Sequence, residues 1–231
     1  PRLGTDAGKL APLVLAPYAE QQRIADKLDS VLARVDACRD RLAGVAPLLK
    51  RFRQSVLAAA ASGRLTEDWR DARGRSIKKS GDELSSPKPS SWTLMTIDEL
   101  KAETRYSLAI GPFGSSLKVS DYKADGVPLI FVREIRANSF GDERTKYISF
   151  EKARELAAHI ARPGDLLITK MGDPPGDVAI YPEGLPEAVI TSDCVKLSVN
   201  SQVALTKYVA YVLDSPEVRI RLRKIAAGVA Q

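Results

Sequence analysis

The sequence predicts an α+β protein: a long coiled-coil-type helix followed by a mixed α/β domain. Three features predict it. Apolar residues repeat in heptads through residues 18–63. A basic stretch rich in serine and proline, residues 64–90, follows. From residue 91 onward, short apolar runs of strand length alternate with glycine and proline turns.

The helix comes first. Ile24, Leu28, Val31, Val35, Cys38, Leu42, Val45, Leu49, Phe52 and Val56 are spaced by alternating steps of 4 and 3. That is the 3.5-residue period of a coiled-coil seam, whose knobs meet a partner helix. At 1.5 Å per residue the seam is roughly 50 Å long. The other faces carry charge, including Arg23, Asp26, Lys27, Arg34, Asp36 and Arg41. Gly44 and Pro47 interrupt the composition, and proline inside a helix costs about 3 kcal/mol. The heptad phase crosses Pro47 unshifted, which favours one kinked helix over a hairpin of two. The seam's partner lies in this chain or in another.

Composition bounds the class. Of 231 residues, 44% are hydrophobic and 28% charged, as in soluble globular proteins. No apolar run reaches the ~18 residues of a membrane span. No basic-then-apolar leader opens the chain, so a cytoplasmic location is expected. The first residue is Pro1, which suggests a processed or partial chain. Cys38 and Cys194 lie in apolar contexts; two buried free thiols are expected, with a disulfide as the alternative. The net charge of +6 is uneven. Residues 1–90 hold 17 Lys/Arg against 11 Asp/Glu, net +6; residues 91–215 hold 14 against 17, net −3; residues 216–231 hold 4 against 1, net +3. Any phosphate contact in the globular part must come from local clusters.

The remaining elements follow in order. Residues 1–17 read as the end of a preceding segment, and Pro17 suits a helix start. Ser62-Gly63 closes the helix. Residues 64–90, with Arg64, Arg70, Arg73 and Lys88, read as a linker whose charges are solvated or meet phosphate or a partner. Residues 91–231 form the compact domain. Expected strands are Thr93–Thr96, Val127–Val132, Leu166–Lys170, Val178–Tyr181, Ala188–Thr191 and Cys194–Val199. Expected helices are Ile97–Lys101, Phe150–Ile160, Leu205–Leu213 and Glu217–Ile225. A glycine-rich loop spans Ala109–Lys118.

Catalytic signatures are weak. The single histidine, His159, cannot build a metal cluster and reads as a solvated or packed side chain. Asp173-Pro-Pro-Gly176 approximates a methyltransferase motif, but Gly176 stands where a stacking aromatic is needed. Gly111-Pro-Phe-Gly114 lacks the Gly-Lys-Ser/Thr ending of a phosphate loop. Asp193-Cys-Val-Lys196 is too degenerate for a nuclease metal site. No catalytic or metal-ligating residue is assigned, and no enzyme activity is expected.

Three segments resemble a known family. The first is Tyr18-Ala-Glu-Gln-Gln-Arg-Ile24, running through to Leu57-Ala-Ala-Ala-Ala-Ser-Gly-Arg-Leu65. The second is Ile110-Gly-Pro-Phe-Gly-Ser-Ser-Leu117 with Gly126-Val-Pro-Leu-Ile130. The third is Pro163-Gly-Asp-Leu-Leu-Ile-Thr-Lys-Met-Gly172 with Gly176-Asp-Val-Ala-Ile180 and Ile190-Thr-Ser-Asp193. Together they resemble the DNA specificity subunit of type I restriction–modification systems. Tyr18 departs from the leucine usual in the family's Pro-Leu-x-Glu-Gln-Gln-Arg-Ile start. The resemblance implies a spacer helix at 18–63 and a target recognition domain at 91–231. It implies a non-catalytic subunit that reads one half of a bipartite double-stranded DNA target. Modification (methyltransferase) subunits dock on the spacer helix, and restriction subunits join them. The chain itself needs no cofactor; the complex would use S-adenosylmethionine, with ATP and Mg2+ for restriction. The chain looks like a partial subunit with one recognition domain and one spacer helix. The seam's partner is then the missing helix or a second copy.

Reading base edges needs only a few side chains. The candidates are Ser115, Ser116 and Lys118 in the glycine-rich loop, then Arg133, Arg136 and Asn138, then Arg144, Lys146, Lys170 and Asp173. The seam residues Ile24 through Val56 are the candidate helix-partner interface. The alternative is a helical dimerisation or scaffold protein whose globular domain binds protein.

Overall fold

The structure is a computed structural model and describes residues 9, 12–73, 88–137, 139–141, 146–172 and 175–228. Contacts divide the chain into two compact units, residues 1–52 and 53–231.

One helix, α1, runs Tyr18–Ala61 with Pro47 inside it. The backbone N–H groups of Glu20 and Gln21 bond the Pro17 carbonyl at 2.8 and 3.0 Å, so Pro17 starts the helix. Leu57 is the one residue of α1 that is buried. Ile24, Leu28, Val31, Val35, Leu42, Val45, Leu49, Phe52 and Val56 are all exposed, Leu42 at 70%. Cys38 is exposed too, and both cysteines are free. The expectation of two buried thiols is therefore corrected. Cys38 sits in the seam, and among the described residues nothing covers that seam.

The helix end is tied down. Gly63 takes a left-handed φ of 84° that stops the helix. A Cβ there would lie 2.7 Å from Pro89 Cγ. Arg64–Thr66 makes a 3₁₀ turn and Glu67–Asp71 a short helix, α2. Arg70 is not a solvated linker cation: it is buried, donating to the Gly63 carbonyl and, at 2.9 Å, to Thr66 Oγ1. Lys88 Nζ donates to the Ala61 carbonyl at 2.9 Å, neutralising the negative end of the helix dipole. Residues 74–87 of the proposed linker lie outside the described residues.

The domain is α3 (Ile97–Leu100), β1 (Leu108–Ile110), β2 (Val127–Ile130), β3 (Ile135–Arg136), β4 (Ser139–Phe140), β5 (Tyr147–Ile148), α4 (Phe150–Glu155), β6 (Ile160–Ala161), β7 (Leu166–Thr169), β8 (Val178–Ile180), β9 (Ala188–Ile190), β10 (Cys194–Leu197), α5 (Thr206–Leu213) and α6 (Pro216–Gly228). One sheet has the order β1-β10-β7-β8 and is antiparallel throughout. The other has the order β5-β2-β9-β6 and pairs β2 with β9 in parallel. A β3-β4 hairpin completes the strands. The result is the α+β class, a long helix plus a mixed-sheet domain.

The apolar strands are continuous because both faces of each sheet are covered. Alternate residues point to opposite faces. Ile130, Leu167, Ala179, Ile190 and Cys194 fill the space between the sheets. Their neighbours Leu166, Val178 and Leu197 pack under Val209, Ala210 and Leu213 of α5. Leu129, Ile148 and Val189 pack with Ala153 of α4 and Leu156. Each fully buried side chain of this size stabilises the fold by about 1.5–3 kcal/mol. Tyr181 is fully buried, edge-on to Phe140, and its hydroxyl donates to the Pro186 carbonyl at 2.7 Å.

Three expected elements differ. Thr93–Thr96 is extended but unpaired, and Thr96 caps α3. The run expected to reach Val132 leaves the sheet at Ile130, because Phe131 opens a 3₁₀ turn and bonds the Glu134 carboxylate at 2.8 Å. The helix expected over Phe150–Ile160 ends at Glu155; Ala157–His159 is a 3₁₀ turn and Ile160 begins β6.

Candidate nucleic-acid interface

The sheet registers gather several loops at one rim. Ile110 of β1 and Thr169 of β7 both lie at the start of β10, opposite Val195 and Cys194. Ile130 lies opposite Ile190 at the end of β9, and β9 reaches β10 through residues 191–193. The glycine-rich loop after β1, the turn after β2 and the turn after β7 therefore share this edge.

Thr191 is the hub. It is buried, and its backbone N–H and Oγ1 both donate to the Ile130 carbonyl, at 2.9 and 2.8 Å. Gly111 N–H donates to the Cys194 carbonyl at 2.9 Å, and Lys170 N–H to the Asp193 carbonyl at 2.7 Å. Gly111 lies so close that a Cβ would stand 1.9 Å from the Thr191 carbonyl oxygen. His159 Nδ1 donates to the Ile110 carbonyl at 2.7 Å. Four backbone segments are thus fixed against one another without a long side chain among them.

The candidate cations lie on the segments that leave this edge. Lys118, Arg133, Arg136, Lys146 and Lys170 are exposed, as are Ser115 and Ser116. Ser116 N–H donates to the Phe113 carbonyl at 2.8 Å, folding the loop tip. Leu117 packs into the core beside Phe131 and anchors the loop's far end. The Arg133 guanidinium stacks 4.6 Å over the Phe131 ring, and Tyr122 meets the same ring edge-on. Lys146 enters the rim through β5: its carbonyl accepts from Leu129 N–H at 3.0 Å. Arg136 starts the β3-β4 hairpin turn. Asn138, Arg144 and Asp173 lie outside the described residues.

The turn after β7 is wired to the C-terminal end of α1, which belongs to the same compact unit. Thr169 Oγ1 accepts from Gly176 N–H at 3.1 Å and from Asp177 N–H at 2.9 Å. Arg219 of α6 donates to the Gly176 carbonyl and pairs with Asp177, both at 2.7 Å. The same guanidinium lies 3.8 Å from Asp214, which pairs with Arg53 of α1 at 3.4 Å. Burial pushes the Asp214 carboxyl above its ordinary range, against the pull of Arg53 and Arg219. A second tie runs from Glu217 to Lys88 at 2.7 Å. Sequence reasoning missed Thr191, His159 and Arg219, because their partners are distant along the chain.

Buried charge also fixes the sheet interior. Lys196 donates to the Ile160 carbonyl at 2.6 Å, and burial lowers its pKa. Burial pushes the Cys194 thiol up to about 12. Among the described residues no group of three or more His, Cys, Asp and Glu side chains is arranged to hold a metal. No described helix is long and apolar enough to cross a membrane.

A long helix leading into a mixed-sheet domain is a fold that this chain shares with solved structures. The solved HsdS subunit from Thermoanaerobacter tengcongensis superimposes with a TM-score of 0.52 over 92% of this chain and 44% of that one, at 20% identity. No protein-family model matches the chain. By sequence it is similar to type I restriction enzyme specificity subunits. It is 28% identical over 223 residues to the EcoKI specificity subunit of Escherichia coli strain K12, covering 91% of this chain and 41% of that subunit. It is 29% identical over 219 residues to the Escherichia coli EcoBI specificity subunit, covering 95% and 44%. The chain spans less than half the length of these relatives.

Proposed function

We propose that this chain reads one half of a bipartite DNA target for a type I restriction–modification complex, without catalysing a reaction itself. Residues 91–231 form the reading domain, and residues 18–63 form the spacer helix on which modification subunits dock. The observation that carries the reading is the rim itself. Exposed Lys118, Arg133, Arg136, Lys146 and Lys170 come from four segments at one sheet edge, three of them rooted on the 191–194 turn and the Lys146 segment on β2. Cations on a rigid frame suit phosphate contact and base-edge reading in a groove. The wiring from Gly176 through Arg219 and Asp214 to Arg53 supports a turn after β7 held firmly on the C-terminal end of α1, residues 53–61.

The exposed seam supports pairing with another helix, either the spacer helix of a longer subunit or a second copy of this chain. The experiment is co-purification with the cognate modification subunit, followed by methylation mapping on random-sequence DNA. One defined half-site, or its palindrome, is expected. Lys118→Glu and Arg133→Glu should abolish site-specific methylation and leave assembly intact. Leu42→Asp should instead disrupt helix pairing. If only Leu42→Asp has an effect, the chain is a scaffold and not a reader.

A further inference from the structure

We propose that Phe113 is an apolar wedge that enters the base stack of duplex DNA, with Met171 supporting it from the neighbouring loop. The inference rests on the DNA-reading proposal above and names a contact of a different kind from its cations. Phe113 is 77% exposed and Met171 57% exposed, although three apolar clusters elsewhere in the domain would hold such side chains. The chain is anchored close to both of them. Phe113 stands two residues from Gly111, whose backbone is pressed on Thr191, and three from Ile110, whose carbonyl His159 holds. Met171 follows Lys170, whose N–H bonds the same turn at Asp193. Gly114, beside Phe113, has open space around it, so the tip presents the ring without flanking bulk.

The charge of the surroundings selects the occupant. Lys118, Arg133 and Lys170 are exposed on the loops that leave the same sheet edge as Phe113 and Met171. A partner must therefore offer an apolar interior behind an anionic surface. Duplex DNA does so, with stacked bases behind phosphates. Side chains such as Phe and Met are the types that part a base step in kinked duplexes. The rigid root matters here, because a wedge on a mobile loop would lose its ordering entropy on insertion.

The test uses the complex of this chain with its modification subunit and a duplex of the mapped target sequence. 2-Aminopurine is placed in turn at each step of the half-site. The wild-type complex should raise the fluorescence at one step, where stacking is lost. Phe113→Ser should abolish that rise and weaken specific binding on the order of tenfold, the loss of one stacking contact. Phe113→Trp should keep the rise, and Met171→Ser should diminish it. The salt dependence should stay unchanged in all three, since no phosphate contact is removed. A rise that persists in Phe113→Ser overturns the wedge. So does loss of the modification subunit from Phe113→Ser without DNA, which would make the ring a protein contact. Charge reversal at Lys118 and Arg133 separates the two ideas. If it abolishes methylation while Phe113→Ser changes nothing, the wedge falls alone. If methylation survives it, the reading rim falls and takes the wedge with it.

Discussion

Gly111 and Cys194 meet at one point in the rim, and each sets a testable residue-scale property. A methyl group at Gly111 would stand 1.9 Å from the Thr191 carbonyl oxygen and 2.3 Å from its carbon. The obstacle is backbone held by two hydrogen bonds, so it cannot swing aside as a side chain would. Gly111→Ala should cost about 2–3 kcal/mol, read as a lower urea midpoint with an unchanged slope. Cys194 stays protonated across the physiological range, because burial raises its thiol to about 12. Cys38 is exposed on α1. A thiol-disulfide reagent at pH 8 should find one fast cysteine in the native chain and two after denaturation. The Cys194 rate should climb only as pH rises toward 12, since the thiolate is the reacting species. A partner helix on the seam should slow Cys38 and leave Cys194 unchanged. The exposure of Cys38 was hidden in the sequence: a heptad position states which residues seek a partner, not whether one is present.

At the scale of elements, legibility followed period and length. The heptad of α1 repeats often enough to survive Pro47. The strands β2, β7 and β10 were readable because their apolar runs are buried on both faces. β3, β4, β5 and β6 have two residues each, too few to show an alternation. Leu156 and Ile160 imitate a helix face by their spacing of four, and they do share one apolar cluster, but Ile160 reaches it from a strand. Thr96 and Glu99 did carry a readable signal. Thr96 Oγ1 accepts from Glu99 N–H at 3.3 Å, and the Glu99 carboxylate accepts from Thr96 N–H at 2.6 Å, the reciprocal cap of a helix start. The link between α6 and α1 was not readable, because Arg219 and Arg53 are joined only through Asp214 and the fold. Arg219→Met should leave the secondary structure intact and loosen the turn after β7. Spin labels at Ser55→Cys and Lys170→Cys, with Cys38→Ser, should give a narrow distance distribution that broadens in Arg219→Met. Arg219→Lys should restore only part of the order, since a single ammonium lacks the guanidinium's fork.

For the whole molecule, net charge was a poor guide and placement a good one. The stretch 91–215 is acidic overall, yet five of its exposed cations, Lys118, Arg133, Arg136, Lys146 and Lys170, lie on segments that leave one sheet edge. Composition cannot show this, because Lys118, Arg133 and Lys170 are brought together by a parallel β2-β9 pair and an antiparallel β7-β10 pair. Lys118→Gln and Lys170→Gln should each lower the slope of log K against log salt by about 1 if they meet phosphate. The check is fluorescence anisotropy of the assembled complex on a labelled duplex across a salt series. Values that keep the wild-type slope would remove those two residues from the interface. The bare seam of α1 has a further consequence, for supply inside a cell. A row of large apolar side chains facing water is what chaperones and proteases seize on an orphan subunit. Copies without a companion helix should be short-lived, and a companion should protect them. The abundance of this chain would then follow that of whatever helix covers its seam, so that neither gathers in excess of the other.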